Sequence, residues 1–208
     1  MNKINYNLEM EKIIKNIGTN RPKLLLHSCC GPCSSAVLER LCEFFDITIY
    51  YYNPNIDSED EYIRRSEEQV ELLKDMGIQN INVIVKDYDH NEFLENVEGF
   101  EKYKEGGARC FKCYMQRLEH SAIYAKENNF DYFTTTLSIS PHKDSQILNR
   151  MGKFLGDKYK INYLYSDFKK KNGFKRSVEL TTKYKMYRQD YCGCEFSRAE
   201  RLEYDEEK

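Results

Sequence analysis

The sequence predicts an α/β fold, a parallel sheet flanked by helices. Three observations carry that reading. Five short runs rich in leucine, β-branched or aromatic residues recur along the chain: "KLLLHS" (23–28), "ITIYYYN" (47–53), "INVIVKD" (81–87), "DYFTTTL" (131–137) and "INYLYSD" (161–167). Segments with helical spacing lie between most of them, and a repeated strand–helix order favours a parallel sheet covered by helices. No internal repeat or long linker interrupts the order, and 208 residues suit one α/β domain with small extensions.

Taken in order, residues 1–20 form an N-terminal helical extension. Their sequence is charged and interrupted, without the continuous apolar segment of a signal peptide. The run 23–28 reads as a buried strand. Residues 34–45 place Val37, Leu38, Leu41, Phe44 and Phe45 at helical spacing. Residues 47–53 are a second strand. Residues 58–77 form a helix with a Ser58 cap, an acidic first turn and Gly77 at its end. Residues 81–87 are a third strand. A helix over 113–129 gathers Leu118, Ala122 and Ala125 on one face, and residues 131–137 are a fourth strand. A helix over 144–159 precedes the fifth, despite Gly152 and Gly156. Residues 88–112 read as a cysteine-bearing insertion. Residues 168–208 read as a C-terminal extension that binds metal and contacts RNA.

Hydrophobic residues make up 40% of the chain and charged residues 32%, an ordinary globular composition. Net charge is −2, so no global basic field announces a nucleic-acid partner. No stretch approaches the ~18 apolar residues of a membrane span, and a cytoplasmic location is expected. Cytosolic thiols usually stay reduced, and clustered ones bind metal or do redox chemistry.

Seven of the eight cysteines fall into three groups: Cys29, Cys30 and Cys33 in "CCGPC", Cys110 and Cys113 in "RCFKC", and Cys192 and Cys194 in "YCGCEF". Cys42 stands apart, on the apolar face of a helix. A thioredoxin-like pair would use only Cys30 and Cys33. Zinc takes four thiols, commonly as two spaced pairs. An iron–sulfur cluster also takes four, which separate loops can supply. Spacing favours metal and leaves zinc and iron–sulfur both open.

In an open parallel sheet, ligands sit beyond the carboxyl ends of the strands. "SCCGPC", the turn "NPNI", "SISPHKD" and "SDF" should therefore face one rim. There, His142 and Asp167 are candidate proton donors. "KKKNGFKR" (169–176) packs five positive charges into eight residues. Lys169, Lys170, Lys171 and Arg176 there, with Arg188 nearer the last cysteines, are candidate contacts to nucleic-acid backbone phosphates. Tyr184, Tyr187, Gln189 and Tyr191 surround Arg188, and such aromatic and Arg groups can stack an unpaired base.

The motifs "HSCCGPCS", "YYNPNI", "EYIRR", "RCFKCYMQRLE", "YFTTTLSISPHKD", "YLYSDFKK" and "YKMYRQDYCGCEFS", in this order over residues 23–198, closely resemble the QueH family of epoxyqueuosine reductases. The resemblance implies reduction of the epoxide of epoxyqueuosine at the tRNA wobble position, the last step of queuosine formation. It implies a cobalamin-independent enzyme with a 4Fe–4S cluster, held by cysteines among Cys29, Cys30, Cys110, Cys113, Cys192 and Cys194. It also implies a nearby further metal ion, expected to be iron. The implied sheet is adenine-nucleotide-alpha-hydrolase-like, of the HUP and PP-loop type, with thiols in place of the glycine-rich pyrophosphate loop. The family's pattern admits an Asp where this chain has Cys33.

The chain shows no flavin or dinucleotide motif, so electrons are expected from an external donor such as a ferredoxin or flavodoxin. Side chains alternate along a strand, which predicts that adjacent Cys29 and Cys30 serve different centres or bridge them. The cluster would take Cys110, Cys113, one of Cys29 and Cys30, and one of Cys192 and Cys194. The ion would take the rest, including Cys33. Two rival readings are a zinc-bound RNA-binding module without catalysis and an iron–sulfur, ATP-dependent tRNA thiolase.

Overall fold

The structure, a computed structural model, describes residues 3–206. Residues 1–2 and 207–208 of the two expected extensions lie outside the described residues. Five strands, β1 (Lys23–His27), β2 (Asp46–Tyr51), β3 (Asn82–Val85), β4 (Tyr132–Thr135) and β5 (Asn162–Tyr163), form one sheet in the order β3-β2-β1-β4-β5. Every neighbouring pair is parallel. The chain builds outward from β1 to β3, then returns to the other side of β1 with β4. The strand order thus reverses between β1 and β4, where an open parallel sheet leaves a crevice at its carboxyl edge.

The apolar run of β1 is continuous because both of its faces are covered. Leu24 and Leu26 face one layer, with Val37, Leu38 and Leu41 of α2 (Gly31–Leu41), Leu72 and Leu73 of α3 (Glu59–Asp75), and Leu180 of a later helix, Gly173–Lys183. Leu25 faces the opposite layer, with Leu118, Ala122 and Ala125 of α5 (Ala108–Glu127) and Leu148 and Leu155 of α6 (Ser145–Tyr159). The N-terminal helix α1 (Tyr6–Ile17) buries Met10 in the first layer. The helix Gly173–Lys183, α7, closes over α2 and delivers Leu180 to the same core.

Local signals set most boundaries. Ser58 caps α3 by accepting from the Glu61 amide, and Asp144 caps α6 by accepting from that of Gln146. The first crossover helix starts at Gly31, three residues earlier than expected. Cys30 is extended and Pro32 sits in the first turn, where its missing N–H costs nothing. The insertion 88–112 contains a short helix, α4 (Asn91–Val97), and the start of α5. Cys110 and Cys113 therefore lie in the first turns of one long helix. Gly152 and Gly156 belong in α6 because β5 lies against them. A β-carbon on Gly152 would stand 2.3 Å from the Tyr163 ring, and one on Gly156 2.7 Å from the Ile161 carbonyl oxygen.

Candidate metal centre

The first set of thiols forms where β1 runs out. The Ser28 amide still bonds the Tyr50 carbonyl at 3.0 Å, and the chain then leaves the sheet. The Cys29 amide donates to Thr136 Oγ1 at 3.3 Å, just beyond β4. Cys30 stands at the cap of α2, and Cys33 lies in that helix's first turn. Strand alternation had separated Cys29 from Cys30, but it ends with the strand at His27. Their sulfurs lie 3.8 Å apart, and all three thiols fall within 4.8 Å of one another. That spacing is far beyond a disulfide bond, and all eight cysteines are free. It matches the edge of a tetrahedron about 3.8 Å long, the value expected for metal–sulfur bonds of about 2.3 Å.

The crowding has an electrostatic signature. Hydrogen bonds from Cys30 and then Cys33 hold the Cys29 thiol well below its usual range, aided more weakly by Lys143, while burial opposes. The same bond to Cys29 pushes the Cys30 thiol up to about 12, and Cys33 is raised for the same reason. One thiolate is thus stabilised by two thiols. Ionising the others requires a cation among them.

The second set joins two distant segments. Cys110 and Cys113 project from α5. Cys192 and Cys194 come from the loop between α7 and α8 (Glu195–Glu206). Cys113 and Cys194 pack with Phe93 and Val97. Burial raises Cys110, Cys113 and Cys194, and the neighbouring Cys192 adds to each shift. Among the described residues, only the Cys29–Cys30–Cys33 trio is compact to within 4.8 Å, so this second set is more open. Backbone amides already donate to sulfur here, Gly106 to Cys110 at 3.3 Å and Ser197 to Cys194 at 3.4 Å. The "CGC" loop docks on the "NPNI" turn through a 2.9 Å bond from the Asp57 amide to the Gly193 carbonyl. Gly193 has φ +127°, and a β-carbon there would press on Arg65 and Asn55 at 3.1 and 3.2 Å.

Three buried arginines surround the thiols. Arg65 pairs with Glu61 at 2.6 Å and donates to the Cys192 carbonyl. Arg109 pairs with Glu200 at 2.9 Å. Arg117, 1% exposed, has no carboxylate partner among the described residues. It donates to Asn53 Oδ1 at 3.3 Å and the Cys113 carbonyl at 3.4 Å, and its Nη2 has no hydrogen-bond partner. Asn53 in turn donates to the Ser28 carbonyl at 2.9 Å, tying the arginine to the end of β1. A buried guanidinium without an ion-pair partner among the described residues, bonded to the Cys113 carbonyl and lining one cavity with the trio and Cys192, is what an anionic metal–thiolate assembly would compensate, so the residues fit such a group.

A cavity of about 520 Å³ opens beside this assembly, lined by the Cys29–Cys30–Cys33 trio, Cys192, Arg117, His142 and Lys143 among others. His142 therefore stands where the sequence placed it. Asp167 does not line the cavity. It is buried and ion-paired with Lys169 at 3.4 Å. Lys169 turns inward too, donating to the Ser138 and Lys143 carbonyls at 2.9 and 3.0 Å. Lys171 pairs with Glu11, and Arg176 pairs with Glu39 and Glu179. Of the five basic residues expected to meet tRNA, Lys170 is exposed and Arg188 lines the cavity over the Phe174 ring. The tyrosines beside the last cysteines have cations on their rings: Arg64 on Tyr187, and both Arg65 and Arg198 on Tyr191.

Two residues carried no sequence signal that was used. Arg117 could have been found as one helical turn beyond Cys113. His27 is fully buried, with Nδ1 2.8 Å from Thr135 Oγ1 and Nε2 3.1 Å from the Tyr52 carbonyl. The carbonyl requires the proton on Nε2, and Thr135, which accepts from the Leu137 amide, donates to Nδ1. Burial lowers His27 to about 4, so it stays neutral beneath the thiols.

Thiols brought together from separate chain segments at the switch point of a parallel sheet define an α/β protein with a cysteine cluster that could hold a metal. The model of the family described as epoxyqueuosine reductase QueH matches residues 24–200. The epoxyqueuosine reductase QueH of Streptococcus pyogenes is 43% identical over 200 residues, 94% of this chain and 78% of that one. That of Staphylococcus epidermidis is 40% identical over 94% of this chain and 85% of its own, and that of Thermotoga maritima 32% identical over 86% and 92%. The chain belongs to the QueH family of epoxyqueuosine reductases. Among solved structures, a deacetylase of teicoplanin biosynthesis aligns at 10% identity and a TM-score of 0.41 over 78% of this chain and 86% of its own, too slight a likeness to bear on function.

Proposed function

We propose that this chain reduces the epoxide of epoxyqueuosine in tRNA, and that its two sets of thiols hold the groups that do so. The observation that carries this is the compact Cys29–Cys30–Cys33 trio, which lines one cavity with Cys192 and with Arg117, an arginine that has no ion-pair partner among the described residues. Removing the epoxide oxygen takes two electrons and two protons and releases water, leaving an alkene. Cys110, Cys113, Cys192 and Cys194 supply the four open positions suited to a 4Fe–4S cluster, and the compact trio suits a single ion with a position left for substrate. This division follows geometry and replaces the one expected from strand alternation, in which the trio was split. When bound, these groups supply one-electron reduction and Lewis acidity.

The chain's own residues do the rest. His142, at the wall of the cavity, can pass protons to the departing oxygen, while Asp167 holds Lys169 in place. Lys170 and Arg188 meet the phosphates of the anticodon strand, whose modified base must be splayed out to enter. An external ferredoxin or flavodoxin supplies the electrons, in the cytoplasm. The segment from residue 168 on thus serves as the metal-binding and RNA-contacting extension.

The test is anaerobic purification followed by iron and sulfide analysis and an assay on tRNA carrying epoxyqueuosine. Brown protein that converts the epoxide with a chemical reductant supports the reading. Colourless protein with stoichiometric zinc and no conversion overturns it in favour of an RNA-binding module.

A further inference from the structure

We infer that Arg117 is the buried counter-charge of the thiolate centres and raises the reduction potential of the cluster they hold. This rests on the reading that the second set of thiols holds an iron–sulfur cluster. Three arginines, Arg65, Arg109 and Arg117, are all nearly inaccessible. Arg65 and Arg109 each pair with a carboxylate, Glu61 and Glu200. Arg117 has none within ion-pair distance among the described residues; its Nη2, like that of Arg65, has no hydrogen-bond partner. A guanidinium does not lose its proton, and a buried unpaired charge is strongly destabilising. The protein keeps one nonetheless, and holds it by name-able contacts: Asn53, itself fixed by the Ser28 carbonyl, and the Cys113 carbonyl.

The groups that can balance it are the sulfurs. Its guanidinium bonds the Cys113 carbonyl and lines the cavity with Cys29 and Cys192, so it stands between both sets of thiols. It lies on α5 one turn from Cys113 and lines the same cavity as Cys29, Cys30, Cys33 and Cys192. The potential of an iron–sulfur cluster depends on its net charge, its hydrogen bonds and its exposure. Reduction adds a negative charge, so a fixed cation nearby stabilises the reduced form and moves the potential upward. Arg117 is 1% exposed, so its own charge is little screened by water. Arg117 is thus a positioning charge for the electron-transfer step rather than a group that touches substrate.

The experiment uses the whole protein, purified anaerobically, with Arg117→Met and Arg117→Lys. Iron and sulfide are measured first, then the midpoint potential by a poised titration read optically. Arg117→Met should keep its iron and sulfide while the reduced-to-oxidised ratio at a fixed poise falls at least about tenfold, ~59 mV for a one-electron couple. Arg117→Lys should lie nearer wild type. A loaded Arg117→Met with an unchanged midpoint overturns the inference. If Arg117→Met folds but does not load, loading of Arg117→Lys supports the need for charge, and failure of both overturns it. Thermal unfolding of the chelator-treated proteins gives a second readout. Metal-free Arg117→Met should be at least as stable as metal-free wild type, because an uncompensated charge is gone; a clear loss would make Arg117 structural and overturn the inference. Wild-type protein without iron and sulfide would overturn the cluster reading instead, and the metal-free comparison would still decide whether Arg117 is uncompensated.

Discussion

Cys33 and Cys110 carry the same functional group in different surroundings, and that difference is testable. Cys33 closes the compact trio on α2, whereas Cys110 belongs to the more open set on α5. Cys33→Ser should remove about one metal ion per chain and activity, while leaving the cluster's visible spectrum. Cys110→Ser should strip most iron and sulfide. Cys42, half-buried at the end of α2 among apolar neighbours, should tolerate Ser with both centres intact. Bleaching by Cys33→Ser as complete as that by Cys110→Ser would refute the division. Gly193 gives a backbone counterpart. Its φ of +127° and the close approach of Arg65 mean that Gly193→Ala should cost about 1–3 kcal/mol and loosen the "CGC" loop, seen as a lower unfolding midpoint and weaker iron retention. These residue roles were only half legible. The clustering of cysteines was visible in the sequence, but which sulfur meets which depends on where β1 ends and α2 begins.

At the scale of elements, α6 and β5 are matched by shape. The missing side chains of Gly152 and Gly156 make room for β5, so Gly152→Ala should cost about 1–3 kcal/mol through overpacking on Tyr163. Shortening the partner, as Tyr163→Val, should recover part of that loss in a double-mutant cycle by urea unfolding. Sequence propensity saw only two helix-weakening glycines. The segment 169–176, which runs into α7, shows the same dependence on neighbours. "KKKNGFKR" carries five cations, of which Lys169 bonds backbone carbonyls and Lys171 and Arg176 pair with acids. Lys170→Ala and Arg188→Ala should each lower the salt slope of tRNA binding by about 0.7–0.9, measured as log affinity against log salt. Lys169→Ala should lower the unfolding midpoint and leave that slope nearly unchanged.

For the molecule as a whole, the proposed metal centres tie binding to folding. Three of the four thiols in the second set are buried, and the set joins α5 to the loop before α8, so whatever they bind ties the last segment to the sheet. Anaerobic chelation should lower the thermal midpoint, and iron with sulfide should restore it. Epoxide reduction should proceed without ATP, since thiols occupy the turn after β1. Strict dependence of product formation on ATP would favour a thiolase. The alternation of apolar runs and amphipathic segments determined the parallel sheet by itself, because strand and helix periodicities are local and both faces of β1 are covered. The thiol motifs determined the family, because their order survives as a linear pattern. Only tertiary structure decided that Cys29, Cys30 and Cys33 share one site, that most of the basic stripe is neutralised, and that Arg117 stands beside the thiols without an acid. Those outcomes depend on distances between residues far apart in sequence, which no local spacing encodes.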